Sequence, residues 1–320
     1  MKKLKVFIMF LFVSLLTLSA PIKVGLILGQ GGLGDKSFND SAYAGLMEAK
    51  QDFNIQVKYV EPGSWMEDSS YLKEFADNGF DLVIASSYTA QDAMEQLAVQ
   101  YPNTKFAIVD TAAREGINIA SLVFSEVEGS FLVGVIAAKM SKTGKIGFIG
   151  ALDIPLINRF KSGYEQGAKY INPNIKVVSS YIGGDSPYSD PLKGKEHVFS
   201  QANQGIDVIY HASGNTGVGV LDGVREKNIY GIGVDCDQDD IVKGKILTSM
   251  LKNVNNAIYK VIQDVINGTF KGKVQTFGLK ENGVGTTDFK YTKDIVGEEN
   301  IKLVEQIKQD IISGKIKVKQ

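Results

Sequence analysis

Short apolar runs rich in β-branched residues alternate with amphipathic stretches along this chain, and the alternation runs through twice. Residues 23–28 (KVGLIL), 55–60, 81–85 (DLVIA), 105–110 (KFAIVD) and 121–125 read as strands. Between them, 39–53, 69–77 and 90–100 carry helical spacing, as at Ala42, Leu46 and Ala49. The pattern then restarts with a helix at 131–140. Strands follow at 145–149 (KIGFI), 176–181, 207–210 (DVIY), 230–234 and 246–250, with helices at 157–171, 191–204, 216–227 and 253–267. A last helix over 299–313 ends at Gly314, a suitable C-cap. Repeated β-α units imply parallel sheets covered by helices on both faces. Two sets within 320 residues imply an α/β protein of two Rossmann-like lobes. No Pro- or Ser-rich linker divides them, so the chain is expected to cross near 125–129, 251–253 and 278–286, a three-crossing hinge rather than a tether. Residues 21–125 with about 253–285 then make the first lobe. Residues 126–252 with part of 286–320 make the second.

The first twenty residues stand apart. Met1 to Lys5 is cationic, Val6 to Leu18 is almost wholly apolar, and Ser19-Ala20 are small, the layout of a secretory signal. The apolar run is short for a membrane span. An exported protein of the cell envelope is expected, whether the signal is cleaved or retained. Cys236 is the only cysteine, which excludes an internal disulfide and argues against a lipid anchor at the signal junction. A net charge of −1 gives no basic face for nucleic acid.

Residues with binding chemistry collect at the carboxyl ends of the strands, where ligands bind in open α/β sheets. Gly29-Gln30-Gly31-Gly32-Leu33-Gly34 matches G-x-G-x-x-G between a strand and a helix. Glu61 could then serve as the ribose-binding acid of a dinucleotide site. Such a fingerprint is weak alone, an exported chain has little use for a nicotinamide cofactor, and tight turns need glycine anyway. Asp35, Phe38 and Asn39 follow at the mouth of a helix. Phe38 either stacks on a flat ligand or staples the helix start, and Ser37 or Asn39 either caps or contacts ligand. Asp110 and Asp235 end strands, with Asp237 two residues on. Each is placed to accept from ligand hydroxyls or to cap the next helix. Lys252 lies at an expected crossing. Gly214 belongs to a second glycine-rich loop, and His211 ends a strand facing the same way. His197 reads as surface. No metal spacing, nucleophile elbow or P-loop occurs, so neither catalysis nor a cofactor is expected.

The stretches GDKSFNDSAYAGL, YPNTKFAIVD, PLINRFKSGYEQGAK, DVIYHASGNTGVGV, GVDCDQ and GLKENGVG resemble the basic membrane protein family, the purine nucleoside receptors among ABC-transporter substrate-binding proteins. The resemblance implies a type I periplasmic-binding fold, a monomer that holds a purine nucleoside between its lobes and delivers it to a membrane permease. It implies that Phe38 stacks on the base with Phe160 opposite. It implies base-edge contacts from Asn39 and Asp110 and ribose contacts from Asp235 and Lys252, with Asp35 and Gly214 lining the cleft. Three departures stand out. No lipobox cysteine follows the signal, Ser87-Tyr88 replaces the usual Gly-Phe, and Cys236 stands where a hydroxyl residue is more usual. Other readings are a sugar or signal-molecule receptor on the same fold, an exported nucleoside hydrolase or dehydrogenase, a lac-repressor-type regulator, and a surface antigen with an adhesion role.

Overall fold

A computed structural model describes residues 20–114, 116 and 118–320. The signal-like segment lies outside the described residues except for Ala20.

The first half builds β1 (Ile22–Ile27), α1 (Phe38–Asp52), β2 (Ile55–Val60), α2 (Asp68–Asp77), β3 (Leu82–Ala85), α3 (Gln91–Gln100), β4 (Lys105–Val109) and β5 (Ile119–Phe124). The second builds α4 (Glu126–Met140), β6 (Lys145–Gly150), α5 (Pro155–Ile171), β7 (Lys176–Tyr181), α6 (Pro191–Asn203), β8 (Val208–Ala212), α7 (Thr216–Lys227), β9 (Tyr230–Asp235) and β10 (Ile246–Lys252). The chain then adds α8 (Val254–Ile266), β11 (Val274–Phe277), β12 (Val284–Thr286), α9 (Lys293–Val296) and α10 (Glu298–Ile312).

Two six-stranded sheets share one strand order. The first runs β2-β1-β3-β4-β5-β11 and the second β7-β6-β8-β9-β10-β12. All pairings are parallel except β10 with β12. The central strands β3 and β8 are buried throughout, as strands covered on both faces must be. Helix α8 packs on α1, β3 and β4, and α10 on α4, so the late elements cover both sheets.

The chain passes between the sheets from Phe124 to Glu126, from Lys252 to Val254, and from Phe277 to Val284. The three passages lie together because β11 pairs with β5 and β12 with β10. Backbone bonds join them, Ser125 N–H to Phe277 O at 3.1 Å and Asn253 N–H to Gly283 O at 2.8 Å. Strands β11 and β12 were absent from the sequence expectation. Helix α4 also begins five residues before the expected start at 131, and Lys252 lies within β10 rather than after it.

Helices α4 and α5 meet through glycine. A Cβ on Gly167 would run into the Phe131 carbonyl, and one on Gly134 into the Tyr164 carbonyl. Among the described residues no helix is long and apolar enough to cross a membrane. Gly167→Ala is expected to cost about 1–3 kcal/mol by overpacking this contact. Urea unfolding measures it, and an unchanged midpoint would contradict the close packing.

Candidate functional site

The strand ends of both sheets enclose one cavity of about 690 Å³, measured with its open mouth. Asp35, Phe38, Asn39, Asp110, Phe160, Gly214, Asp235 and Lys252 all line it. So do Gln30, Trp65, Ser87, Tyr88, Tyr188 and Ser213.

The loop after β1 is built around carboxylates. Gly31, Gly32 and Gly34 all have positive φ, a conformation that favours glycine. Glu61 accepts from Leu33 N–H at 2.8 Å. Asp40 accepts from Gly34 N–H at 2.8 Å and Lys36 N–H at 2.9 Å. Asp35 is buried and accepts from the N–H groups of Ser37, Asn39 and Asp40 at 2.9, 2.9 and 3.2 Å. Asp35 therefore closes the start of α1, where neither Ser37 nor Asn39 caps with its side chain. Burial raises the Asp35 pKa, against the lowering effect of those three bonds. Asn39 Oδ1 takes Gly29 N–H at 2.8 Å. A dinucleotide fingerprint needs free N–H groups for a pyrophosphate. Here carboxylates already hold those of Leu33 and Gly34, and Glu61 serves the loop rather than a ribose.

Asp110 and Asp235 end β4 and β9, which occupy the same place in their sheets. Both adopt left-handed backbone, with φ of 72° and 65°. Asp tolerates that region better than most residues, and such strain gathers at functional sites. Their partners differ. Asp235 Oδ2 accepts from Ser37 Oγ at 2.5 Å, across the cleft. Asp110 Oδ1 lies 2.6 Å from Lys252 Nζ. The two residues given separate base and ribose contacts by resemblance are thus ion-paired with each other.

Lys252 is wholly buried, and its Nζ also lies 3.1 Å from Glu126 Oε1. Glu126 is fully buried at the first position of α4 and takes Arg159 Nε on its other oxygen at 2.7 Å. The rings of Phe38, Phe124 and Phe160 surround the ammonium, with centroids 5.2, 5.2 and 5.3 Å from Nζ. Burial alone would lower the Lys252 pKa, but Asp110, Glu126 and Asp235 outweigh it and hold it above the ordinary value. Burial raises the Asp110 pKa, opposed by Lys252 and reinforced by Glu126. Asp110, Glu126, Lys252 and Arg159 balance in charge. Asp235 is left as the acid without a cation of its own, and burial pushes its pKa up to about 7 against Lys252 and Ser37.

Other candidates fall outside the cavity. His211 is buried behind the wall, with Nε2 3.1 Å from Gln238 Oε1, and burial lowers its pKa to about 4. His197 is half-buried against Ser180 Oγ at 2.8 Å. Asp237 is exposed and accepts from Asp239 N–H. Cys236 Sγ donates to Ser37 O at 3.1 Å, and burial pushes its thiol up to about 12, so it stays protonated. No cluster of His, Cys, Asp or Glu able to hold a metal occurs among the described residues. Sequence reasoning missed Glu126, Trp65, Gln30 and Tyr188. Glu126 had a faint signal, an acid in the first turn of an unusually apolar helix. The others lie in irregular loops without a pattern.

A family model described as "ABC transporter substrate-binding protein PnrA-like" matches residues 22–320. Basic membrane protein A of Borreliella burgdorferi is 35% identical over 303 residues, covering 92% of this chain and 86% of that protein. The ABC transporter nucleoside-binding protein BmpA of Lactococcus lactis subsp. cremoris is 31% identical over 319 residues, covering 93% and 89%. A crystal structure of an ABC transporter solute-binding protein from Aeropyrum pernix K1 superposes with a TM-score of 0.86 at 32% identity, covering 94% of each chain.

Removing Lys252 leaves Asp110 and Glu126 buried without their cation. Lys252→Met is expected to cost about 3–5 kcal/mol in chemical denaturation. Adding Asp110→Asn restores most of it, because Glu126 keeps Arg159. A double variant no more stable than Lys252→Met would disprove that the cluster is held by charge.

Proposed function

Because the chain belongs to the PnrA-like family of ABC transporter substrate-binding proteins, we propose that it captures purine nucleosides in the cleft and presents them to a membrane permease. The carrying observation is one cavity lined by two aromatic rings from different lobes, Phe38 and Phe160, and by an ionisable carboxylate, Asp235, that lacks a cation of its own. A purine between the rings gains stacking energy of about 1–3 kcal/mol. Vicinal ribose hydroxyls donate to Asp235, and Lys252 donates to a hydroxyl oxygen. Asn39 offers its Nδ2 to the base. The nucleoside-binding relative supports this class of ligand.

The protein works as a monomer outside the cytoplasmic membrane, consistent with its signal-like start, and binds without catalysis. Two lobes closing on one ligand give the permease a closed form to recognise. Contacts that cross the cleft, Gln238 Nε2 to Lys36 O at 3.0 Å and Ser37 Oγ to Asp235, favour closure.

The same chemistry excludes phosphorylated ligands. Among the described residues Lys252 is the one cationic side chain on the cavity wall, and two carboxylates already pair with it. Titration calorimetry is expected to show binding of adenosine, guanosine and inosine, with the matching 5′-monophosphates at least about 100-fold weaker, a cost of about 3 kcal/mol. Asp235→Ala weakens nucleosides more than free bases, and equal loss for both would sink the ribose assignment. Release of free base from inosine would instead favour an enzyme.

Hydroxyls that donate to Asp235 stabilise its ionised form, so its pKa falls when ligand binds. Binding therefore releases a proton near pH 7 and weakens as pH falls through 7, by at most about tenfold per unit. Asp235→Asn flattens this slope. A wild-type dissociation constant that stays level from pH 5.5 to 8.5 would remove Asp235 from the ligand contacts.

A further inference from the structure

Gln30 Oε1 is buried without a hydrogen-bond partner, and across the cleft the Tyr188 hydroxyl is buried with only the Tyr88 hydroxyl beside it; both residues line the cavity. A buried polar atom left unpaired carries its full desolvation penalty, so Gln30 Oε1 at this end of the cavity marks a place for ligand atoms. Strand order puts this place away from Lys252. Gln30 follows β1, and Tyr188 follows the edge strand β7. Asp110 and Lys252 end β4 and β10, on the side where the chain crosses between the sheets.

The Gln30 amide is oriented. Its Nε2 donates to Asp185 O in the opposite lobe at 3.0 Å, so its Oε1 is fixed as an acceptor. Beside it, Asn39 has its own Oδ1 committed to Gly29 N–H and its Nδ2 in a long 3.5 Å contact with Gln30 O. At this end Gln30 Oε1 demands a donor from the ligand, Asn39 Nδ2 can give one, and the Tyr188 hydroxyl can either give or accept. Asp110 stands at the other end, paired with Lys252.

We propose that Gln30 and Tyr188 form a base-edge subsite in which Gln30 Oε1 accepts from an N–H of the purine, either its exocyclic amino group or a protonated ring nitrogen. The Tyr188 hydroxyl bonds the neighbouring ring nitrogen or oxo group. The proposal rests on the nucleoside reading above, with ribose toward Asp235 and Lys252. Recognition then requires an N–H on the six-membered ring and tolerates both amino and oxo purines.

Calorimetry with adenosine, inosine and purine riboside, which lacks both an amino group and a ring N–H, tests this. Wild type is expected to bind adenosine and inosine at least about tenfold more tightly than purine riboside, the size of one net hydrogen bond. Gln30→Leu loses the acceptor and the Asp185 contact together, so all three ligands weaken and the ratio collapses to near one. Gln30→Glu loses the Asp185 contact but keeps an acceptor, so all three weaken and the ratio persists. Comparing ratios cancels any general effect on closure or folding. Tyr188→Phe reduces the ratio without abolishing it. A wild-type ratio near one, or a ratio unchanged in Gln30→Leu, overturns the subsite while nucleoside binding stands. Failure of all three ligands to bind wild type overturns both.

Discussion

A lysine ammonium sealed from water has to be paired, and the structure depends on how Lys252 meets that demand. Its two carboxylates come from different parts of the chain, Asp110 from the end of β4 and Glu126 from the start of α4. Lys252 is the last residue before one passage between the sheets, and Glu126 the first after another. The ion cluster therefore sits where the lobes are joined. It fixes the floor of the cavity as a by-product of charge pairing. Arg159, bound to Glu126, precedes Phe160 on α5, so the same cluster sets the register of one aromatic wall.

The repeated fold gives each lobe the same strand order and the same left-handed aspartate at the end of its fourth strand. The two aspartates nevertheless do different work. Asp110 is committed to a cation, while Asp235 has only a serine hydroxyl from the facing lobe. Burial of the second without a full counter-charge brings its titration near neutrality. Equivalent positions in a duplicated scaffold thus divide into a structural ion pair and a group free to respond to what enters the cleft.

Much of this was legible in the sequence, and the reasons are local. Central strands such as LVIA and VIYHA are buried on both faces and show as apolar runs. Residues just past such runs fall at the cleft by the geometry of parallel sheets, which is why Asp110, Asp235 and Gly214 could be placed without a structure. What failed to show depends on long-range contacts. Strands β11 and β12 have four and three residues, too few for a period to show, and exist because they pair with β5 and β10. Glu126 reads as an ordinary first-turn acid until Lys252 and Arg159 are brought to it from elsewhere. Trp65 and Tyr188 come from loops at the outer edges of the two sheets, where no periodicity applies.

The glycine loop shows how the same residue pattern can support opposite chemistry. Free N–H groups ahead of a helix attract anions. In this chain Glu61, Asp40 and Asp35 bring three carboxylates to the loop and satisfy those groups internally. An incoming phosphate would find the N–H groups of Leu33, Gly34, Lys36, Ser37 and Asn39 already taken and would meet acids instead. The loop becomes a rigid support that presents Phe38 and Asn39. Meanwhile the cavity keeps Gln30 Oε1 as an acceptor without a partner, and Asp235 accepts a single hydroxyl. Acceptors of this kind favour a ligand that brings N–H or O–H groups rather than further anionic charge, in line with the nucleoside reading proposed above.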